Sequence, residues 1–346
     1  MRKAIKIKIN IPEERIQDVK DLMNTASEIF NIHTEYAFNN KTYSKQKAHH
    51  ELYGSVREKY AAVPSGLIQS IRDNALESMK AIECKISIKK SGYSTLRFDK
   101  RTSTLRGRQL TLSCIGNRIK IILNIPKYFR SIFYNWKYLC CMLSFRDECF
   151  WISLVFDGEA EKTNDVGVIG IDRGIYNIAT TSDGEQFSGK AVRSTRRKHL
   201  YTRKTLQKKG TRSAKLRLVS MKGKEKRFIR DVNHCISKSI VKKPANIYVL
   251  EDLKGMREQR KGKKLNKWLS NWSFFQLETF LTYKAGFKGK RIEYVDARYT
   301  SQKCSVCGVI EKKNRKKSVY LCKCGNKLHS DINAAINIRN NYLQSM

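Results

Sequence analysis

Acidic side chains are scarce in this sequence. Asp and Glu number 31 against 70 Lys and Arg in 346 residues, which leaves a net charge of +39. A compact chain with that excess repels itself unless a polyanion neutralises it. The imbalance argues against a small-metabolite enzyme as the whole role. It points to a nucleic-acid partner, with a membrane surface as the weaker competitor. Long apolar runs are also missing. The longest nearly apolar stretch, Tyr138 to Phe145, is well short of the roughly 20 residues a membrane span needs. The opening MRKAIKIKIN alternates Lys with Ile and has no apolar h-region, so it is not read as a secretory signal. The expected location is the cytoplasm, in company with the nucleoid. No internal repeat is visible. Hydrophobic residues make up 40%, so the chain is not a disordered one, and its length suits two or three domains with cores of their own.

Periodicity divides the chain. Residues 3–9 alternate basic and apolar, which predicts a strand. Ile16, Val19, Leu22, Ala26, Ile29 and Phe30 recur at helical steps. A second stripe runs through Leu67, Ile71, Ala75, Met79 and Ile82, opened by Pro64-Ser65. From about 95 to 158 the pattern turns β-rich, with a hairpin expected at Arg146-Asp147-Glu148. Asp157–Asp165 reads as a linker. Beyond it, Val166–Asp172, Ile175–Thr181, Ile247–Leu250 and Ile292–Val295 read as strands. Phe274–Ala285 and Asp331–Leu343 read as helices.

Six of the ten cysteines are scattered, and four cluster as Cys304-x-x-Cys307 and Cys322-x-Cys324. Without a secretion signal, close-set pairs predict a metal site rather than disulfides. Four thiolates can wrap one Zn²⁺ tetrahedrally, closing the site to chemistry and making the ion structural. Gly308 and Gly325 follow the pairs, where turns expose N–H groups to sulfur. The second pair is one residue short of the usual spacing, which leaves His329 as a substitute ligand.

Three carboxylates stand at distinctive places. Asp172 and Glu251 end predicted strands, and Asp331 opens the final helix. Singly, each has an ordinary role: a turn start, a solvated strand end, a helix N-cap. Together they can converge on two Mg²⁺ ions, the arrangement that activates water and stabilises the leaving oxygen of a phosphodiester.

These residues carry a resemblance. Gly170-Ile-Asp-Arg-Gly-Ile175 resembles the first motif of a RuvC-type nuclease of the RNase H-like fold. Val249-Leu-Glu-Asp-Leu-Lys-Gly255 resembles the second, and Asp331-Ile-Asn-Ala-Ala335 the third. The cysteines fall between the second and third. With Arg230-Asp-Val-Asn-His-Cys-Ile-Ser237 and Tyr299-Thr-Ser-Gln-Lys-Cys304, the order is similar to that of TnpB, a family of insertion-sequence-encoded, RNA-guided DNA nucleases related to compact type V CRISPR effectors. The resemblance is sharp over 166–343 and looser before it. It implies an α+β multidomain chain. Residues 1–11 would give the first strand of a β-barrel-like wedge domain, 12–94 a helical recognition segment and 95–165 the rest of the wedge. Residues 166–297 would begin a RuvC-like domain, 298–328 form an inserted zinc module, and 329–346 supply the last helix.

The resemblance further implies a catalytic, Mg²⁺-binding trio of Asp172, Glu251 and Asp331, and zinc ligands Cys304, Cys307, Cys322 and Cys324. The partners would be a guide RNA from the transposon end and a double-stranded DNA target beside a short motif, with base pairing reading the rest. The family often carries Arg where this chain has Ser330. Arg315 lies where relatives have a catalysis-assisting arginine. With Lys312, Lys313, Lys316 and Lys317 around it, Arg315 stays outside the predicted site. Three other readings remain: a guide-directed repressor without cleavage, a compact CRISPR effector, and a guide-free nuclease.

Residues 196–227 hold 14 Lys or Arg and one acid. That is too lopsided for an ordinary solvated helix with paired charges, and it predicts contact with a phosphate backbone. His199 and His234 read as packing or hydrogen-bonding residues. Trp268, Trp272, Phe274 and Phe275 read as core rather than as base-stacking residues.

Overall fold

A computed structural model describes residues 1–253 and 274–346. Trp268, Trp272, the basic run at 257–264 and the side chain of Phe274 lie outside the described residues. The chain divides into two compact units, Met1–Glu159 and Ala160–Met346. No helix described is long and apolar enough to cross a membrane.

In the first unit, β1 (Arg2–Ile9) buries Ile5, Ile7 and Ile9 and turns Lys6 and Lys8 outward, as a half-buried strand must. Helices α1 (Ile16–Asn39), α2 (Lys45–Lys59) and α3 (Ser65–Ala81) follow. The stripes of α1 and α3 join the strands in one core, with Leu22, Met23, Ile29, Phe30, Leu67 and Ile68 almost wholly buried. Short strands β2 (Leu96–Phe98), β3 (Ser103–Arg106), β4 (Gln109–Leu112) and β5 (Ile119–Ile122) precede a short helix, α4 (Arg130–Asn135). The hairpin of β6 (Lys137–Arg146) and β7 (Cys149–Asp157) closes the unit. Asp147 and Glu148 both have positive φ, which matches the right-handed twist of the flanking strands.

The wedge expectation needs one correction. The strands do not close into a barrel. They form a four-stranded antiparallel sheet, β1-β7-β6-β2, and a separate meander, β3-β4-β5. Strands of three or four residues are too short to wrap the long hairpin into a closed ladder.

The second unit is built on a five-stranded sheet of order β10-β9-β8-β11-β12. Its strands are β8 (Val168–Asp172), β9 (Asn177–Thr181), β10 (Gln186–Ser188), β11 (Ile247–Asp252) and β12 (Arg291–Asp296). β8, β11 and β12 run parallel, and β9 is antiparallel to both of its neighbours, β8 and β10. Between β10 and β11 lie α5 (Lys190–Lys209), α6 (Arg212–Met221) and α7 (Lys224–Val241). α8 (Phe274–Phe287) precedes β12. Three tiny strands, β13 (Arg315–Lys316), β14 (Val319–Leu321) and β15 (Lys327–His329), lead into α9 (Ser330–Gln344).

Alternation decides the layers. Ile169, Ile171, Tyr248 and Leu250 face α7 and α8, packing with Ile236, Ile240, Leu277 and Leu281. Val168, Ile247, Val249 and Val295 face the other way, against Ile338 of α9. Phe275 departs from its core expectation: it is 65% exposed, on the outer side of α8.

Candidate active site and metal centre

β8 and β11 are neighbours, with Ile171 opposite Leu250. The next residue on each, Asp172 and Glu251, therefore emerges at the carboxyl ends of adjacent parallel strands. Both belong to the alternation that faces α9, two residues beyond Gly170 and Val249. Asp331 stands at the start of α9, in its first turn. Two strand ends and a helix start thus bring together three acids separated by up to 159 positions in sequence.

Gly170 sets how closely the helix can come. A Cβ there would sit 2.1 Å from the Ala335 carbonyl oxygen and 2.7 Å from the Arg339 nitrogen. Only hydrogen fits between strand and helix, so the motif's first glycine is a packing requirement. Gly170→Ala is expected to lose about 3 kcal/mol or more, since both contacts are backbone and cannot yield as a side chain would. A chemical denaturation midpoint unchanged from wild type would contradict this.

The ordinary role of Asp331 as N-cap is taken by another residue. His329 occupies the cap, and its Nδ1 accepts from the Asp331 N–H at 3.2 Å. This frees the Asp331 carboxylate, whose two oxygens accept from Asn177 Nδ2 at 3.0 Å and Arg315 Nη2 at 3.2 Å. Arg315, left outside the site on sequence grounds, belongs to it. The Thr300 hydroxyl donates to Glu251 Oε1, and Arg173 donates to the Glu251 carbonyl oxygen and pairs with Glu278. Thr300 and Arg173 lie inside quoted motifs, yet nothing in the sequence distinguished them from their neighbours. Asn177 gave no signal at all.

Burial pushes the Asp172 carboxyl well above its ordinary range. Repulsion from Glu251 and Asp331 adds to this, and Arg315 and Arg173 offset it only in part. Burial also raises Glu251, against the Thr300 hydrogen bond and the charges of Arg173 and Arg315. Mutually repelling carboxylates under one helix are a donor set for hard divalent cations. Their oxygens do not gather as tightly as the thiols described next: among the described residues, Cys304, Cys307, Cys322 and Cys324 are the group of metal-ligating atoms lying within 4.8 Å of one another. A pair of ions about 4 Å apart spreads its ligands more widely than a single ion does.

The thiols are well placed for one metal. Cys304 Sγ is 3.7 Å from Cys324 Sγ, and Cys307 Sγ is 3.6 Å from Cys322 Sγ. Tetrahedral Zn–S bonds of about 2.3 Å separate sulfurs by about 3.8 Å. Gly308 and Gly325 have φ of +76° and +91°, the left-handed conformation the two turns require. Burial raises the Cys304 thiol, but N–H groups of Cys307 and Val306 and the Asn326 amide outweigh it, bringing it down to about 6. His329, the substitute ligand of the sequence reading, is not needed: it caps α9. Ser330 is fully buried, with its hydroxyl on the Lys317 carbonyl at 2.8 Å.

The basic stretch 196–227 folds into α5, α6 and the start of α7. Its single acid, Glu225, is shared by Arg196 and Arg203, at 3.7 and 3.6 Å, which ties α7 to α5. His199 is partly buried on α5. His234 stacks on Phe280 with ring centroids 3.9 Å apart, a packing role.

A sequence model of the Cas12f1-like TNB domain matches residues 274–338, the stretch from α8 into α9. A TnpB-like protein of Methanocaldococcus jannaschii is 33% identical over 144 residues, 39% of this chain and 52% of that protein. The CRISPR-associated endodeoxyribonuclease Cas12f1 of Sulfoacidibacillus thermotolerans is 34% identical over 117 residues, 32% of this chain and 26% of the other. The putative RNA-guided DNA endonuclease InsQ of Escherichia coli is 28% identical over 197 residues, 49% and 48% of the two chains. The chain thus spans about half or less of the length of these relatives. A Cas12f1 chain, solved by cryo-EM with guide RNA and target DNA, aligns over 99% of both chains with a TM-score of 0.58 at 14% identity. The mini-RNA-guided endonuclease CRISPR-Cas_phi3 aligns over 98% and 92% with a TM-score of 0.60 at 9% identity. By sequence the chain is a relative of the TnpB-like proteins and of the Cas12f endonucleases, and it shares the α+β fold of the type V effectors.

Proposed function

We propose that this chain is an RNA-guided, divalent-metal-dependent DNA endonuclease of a transposable element, with a RuvC-type site of Asp172, Glu251 and Asp331. The observation that carries the reading is the convergence of those acids from two parallel strand ends and one helix start. On this reading the three carboxylates hold Mg²⁺. The ions, when bound, supply an activated water and charge stabilisation at the leaving oxygen. Thr300 fixes the orientation of the Glu251 carboxylate. Asn177 and Arg315 hold Asp331, and Arg173 anchors the end of β11. Cys304, Cys307, Cys322 and Cys324 hold one structural Zn²⁺.

The remaining assignments follow the same reading. Residues 95–165 with 1–11 form the wedge, 12–94 the recognition segment, 166–297 with 329–346 the nuclease domain, and 298–328 the zinc module. Guide RNA from the transposon end and the DNA duplex account for the charge of +39.

The test is expression with the native flanking DNA, followed by sequencing of co-purified RNA. One discrete RNA, with a constant scaffold and an end matching DNA outside the element, is expected. It should direct Mg²⁺-dependent cutting of a matching duplex. A heterogeneous RNA population removed by moderate salt would overturn the guided reading.

A further inference from the structure

The zinc module and the catalytic helix are joined through buried asparagines that neither the metal sites nor the acid trio accounts for. Asn333 and Asn337 lie on α9, less than two turns beyond Asp331, and are 0% and 1% exposed. Asn337 Nδ2 donates to the carbonyl oxygens of Thr300 and Lys303 at 2.8 and 2.6 Å. Thr300 is the residue whose hydroxyl holds Glu251. Asn333 Nδ2 donates to the Lys303 carbonyl at 2.8 Å, and its Oδ1 accepts from the Ser305 N–H at 3.0 Å. The Asn326 amide lies 3.4 Å from Asn333 Oδ1 and 3.3 Å from Cys304 Sγ.

Two chains of hydrogen bonds result. One runs from α9 through Asn337 and Thr300 to Glu251. The other runs from α9 through Asn333 to the first thiol turn. The loop 300–305 is held between them. We propose that Asn333 and Asn337 are positioning residues, through which the thiol-bound module fixes the spacing of Glu251 from Asp331 and so the affinity of the acid trio for divalent cations.

The physical argument is one of matched partners. An asparagine amide offers two donors, and Asn337 spends its Nδ2 on two buried carbonyls of one loop. The Lys303 carbonyl keeps Asn333 as a donor, but no apolar residue of the same size as Asn337 can satisfy the Thr300 carbonyl, so its loss lets residue 300 move rather than leave that carbonyl bare. Any movement of residue 300 moves the group that orients Glu251. The proposal rests on the reading of the acid trio as a metal site.

The test uses the full chain, Mn²⁺ as the probe, and three measurements: zinc per chain, melting temperature, and bound Mn²⁺ by electron paramagnetic resonance. Wild type is expected to bind Mn²⁺ and Asp172→Ala to lose that binding. Asn337→Leu, with one zinc retained, is expected to need about tenfold more Mn²⁺ for half-saturation. Thr300→Val removes only the hydroxyl and should shift in the same direction, which keeps the test decisive if Asn337→Leu does not fold. A merely structural asparagine would lower the melting temperature and leave Mn²⁺ half-saturation where it was. That outcome, in either folded and zinc-loaded variant, overturns the proposal. Wild type without Asp172-dependent Mn²⁺ binding would instead sink the acid-trio reading, and this proposal with it.

Discussion

Asp172→Asn should keep the fold and the binding of RNA and DNA but reduce DNA cleavage by roughly 10³-fold or more, the scale seen when one member of a catalytic set is removed. The same variant should be more stable than wild type in chelator. Burial and the charges of Glu251 and Asp331 raise the Asp172 carboxyl in the folded protein. The folded state then holds its proton more tightly than the unfolded state does. Below the ordinary Asp range both states are protonated and nothing is lost. As pH rises from there through the raised value, the metal-free wild type loses stability. An amide of the same shape removes that penalty, so the variant should melt a few degrees above wild type. Saturating Mg²⁺ should reverse the order, because only wild type gains from the bound ion. Calorimetry of both proteins with and without Mg²⁺ checks this. A variant that melts below wild type in chelator, or still cuts at the wild-type rate, would contradict the site assignment.

Cys304→Ser should show the second large effect. Cys304 is 1% exposed, and it shares a turn with N–H groups that favour the thiolate. β13, β14 and β15 have two or three residues each, too few to stand without a staple. Zinc bound by four thiolates contributes on the order of 10 kcal/mol to such modules, and that binding energy is folding energy. The variant is expected to hold less than one zinc per chain and to become sensitive to protease between 305 and 328. Core strands β8 and β11 should stay protected from hydrogen exchange, since their burial depends on α7, α8 and α9. Full zinc content in the purified variant would show that three thiols and a substitute suffice. Loss of protection across β8 and β11 would show that the module supports the whole unit.

Much of this molecule is legible in its residues because the signals are local. Alternation exposed β1 and the β6–β7 hairpin, and helical spacing exposed α1 and α3. The cysteine pairs declared themselves by spacing, because four soft ligands must sit close in sequence to form so small a module. Asp172, Glu251 and Asp331 could be named because each ends or begins an element whose pattern is readable.

The β-barrel-like wedge is instead two separate antiparallel sheets, because strand pairing across 2–157 depends on lengths and partners that no local pattern sets. Phe275 was misplaced for a related reason: a helix whose apolar residues are spread round its axis does not reveal which face meets the sheet. Arg315 was marked only by the resemblance and set aside among four lysines, and Thr300 in a polar turn looks like any surface residue until the chain folds back on itself.

The sequence by itself determined the charge, the periodic elements, the thiol pairs and the three acids, all of which follow from composition or from spacing along one element. Only the tertiary structure decided that His329 caps the helix, that Arg315 reaches Asp331, that Gly170 admits α9, and that asparagines link the cysteine turns to the segment that holds Glu251. Each of these is a contact between segments far apart in the chain, fixed by shape and by the need to satisfy buried polar groups rather than by any local preference.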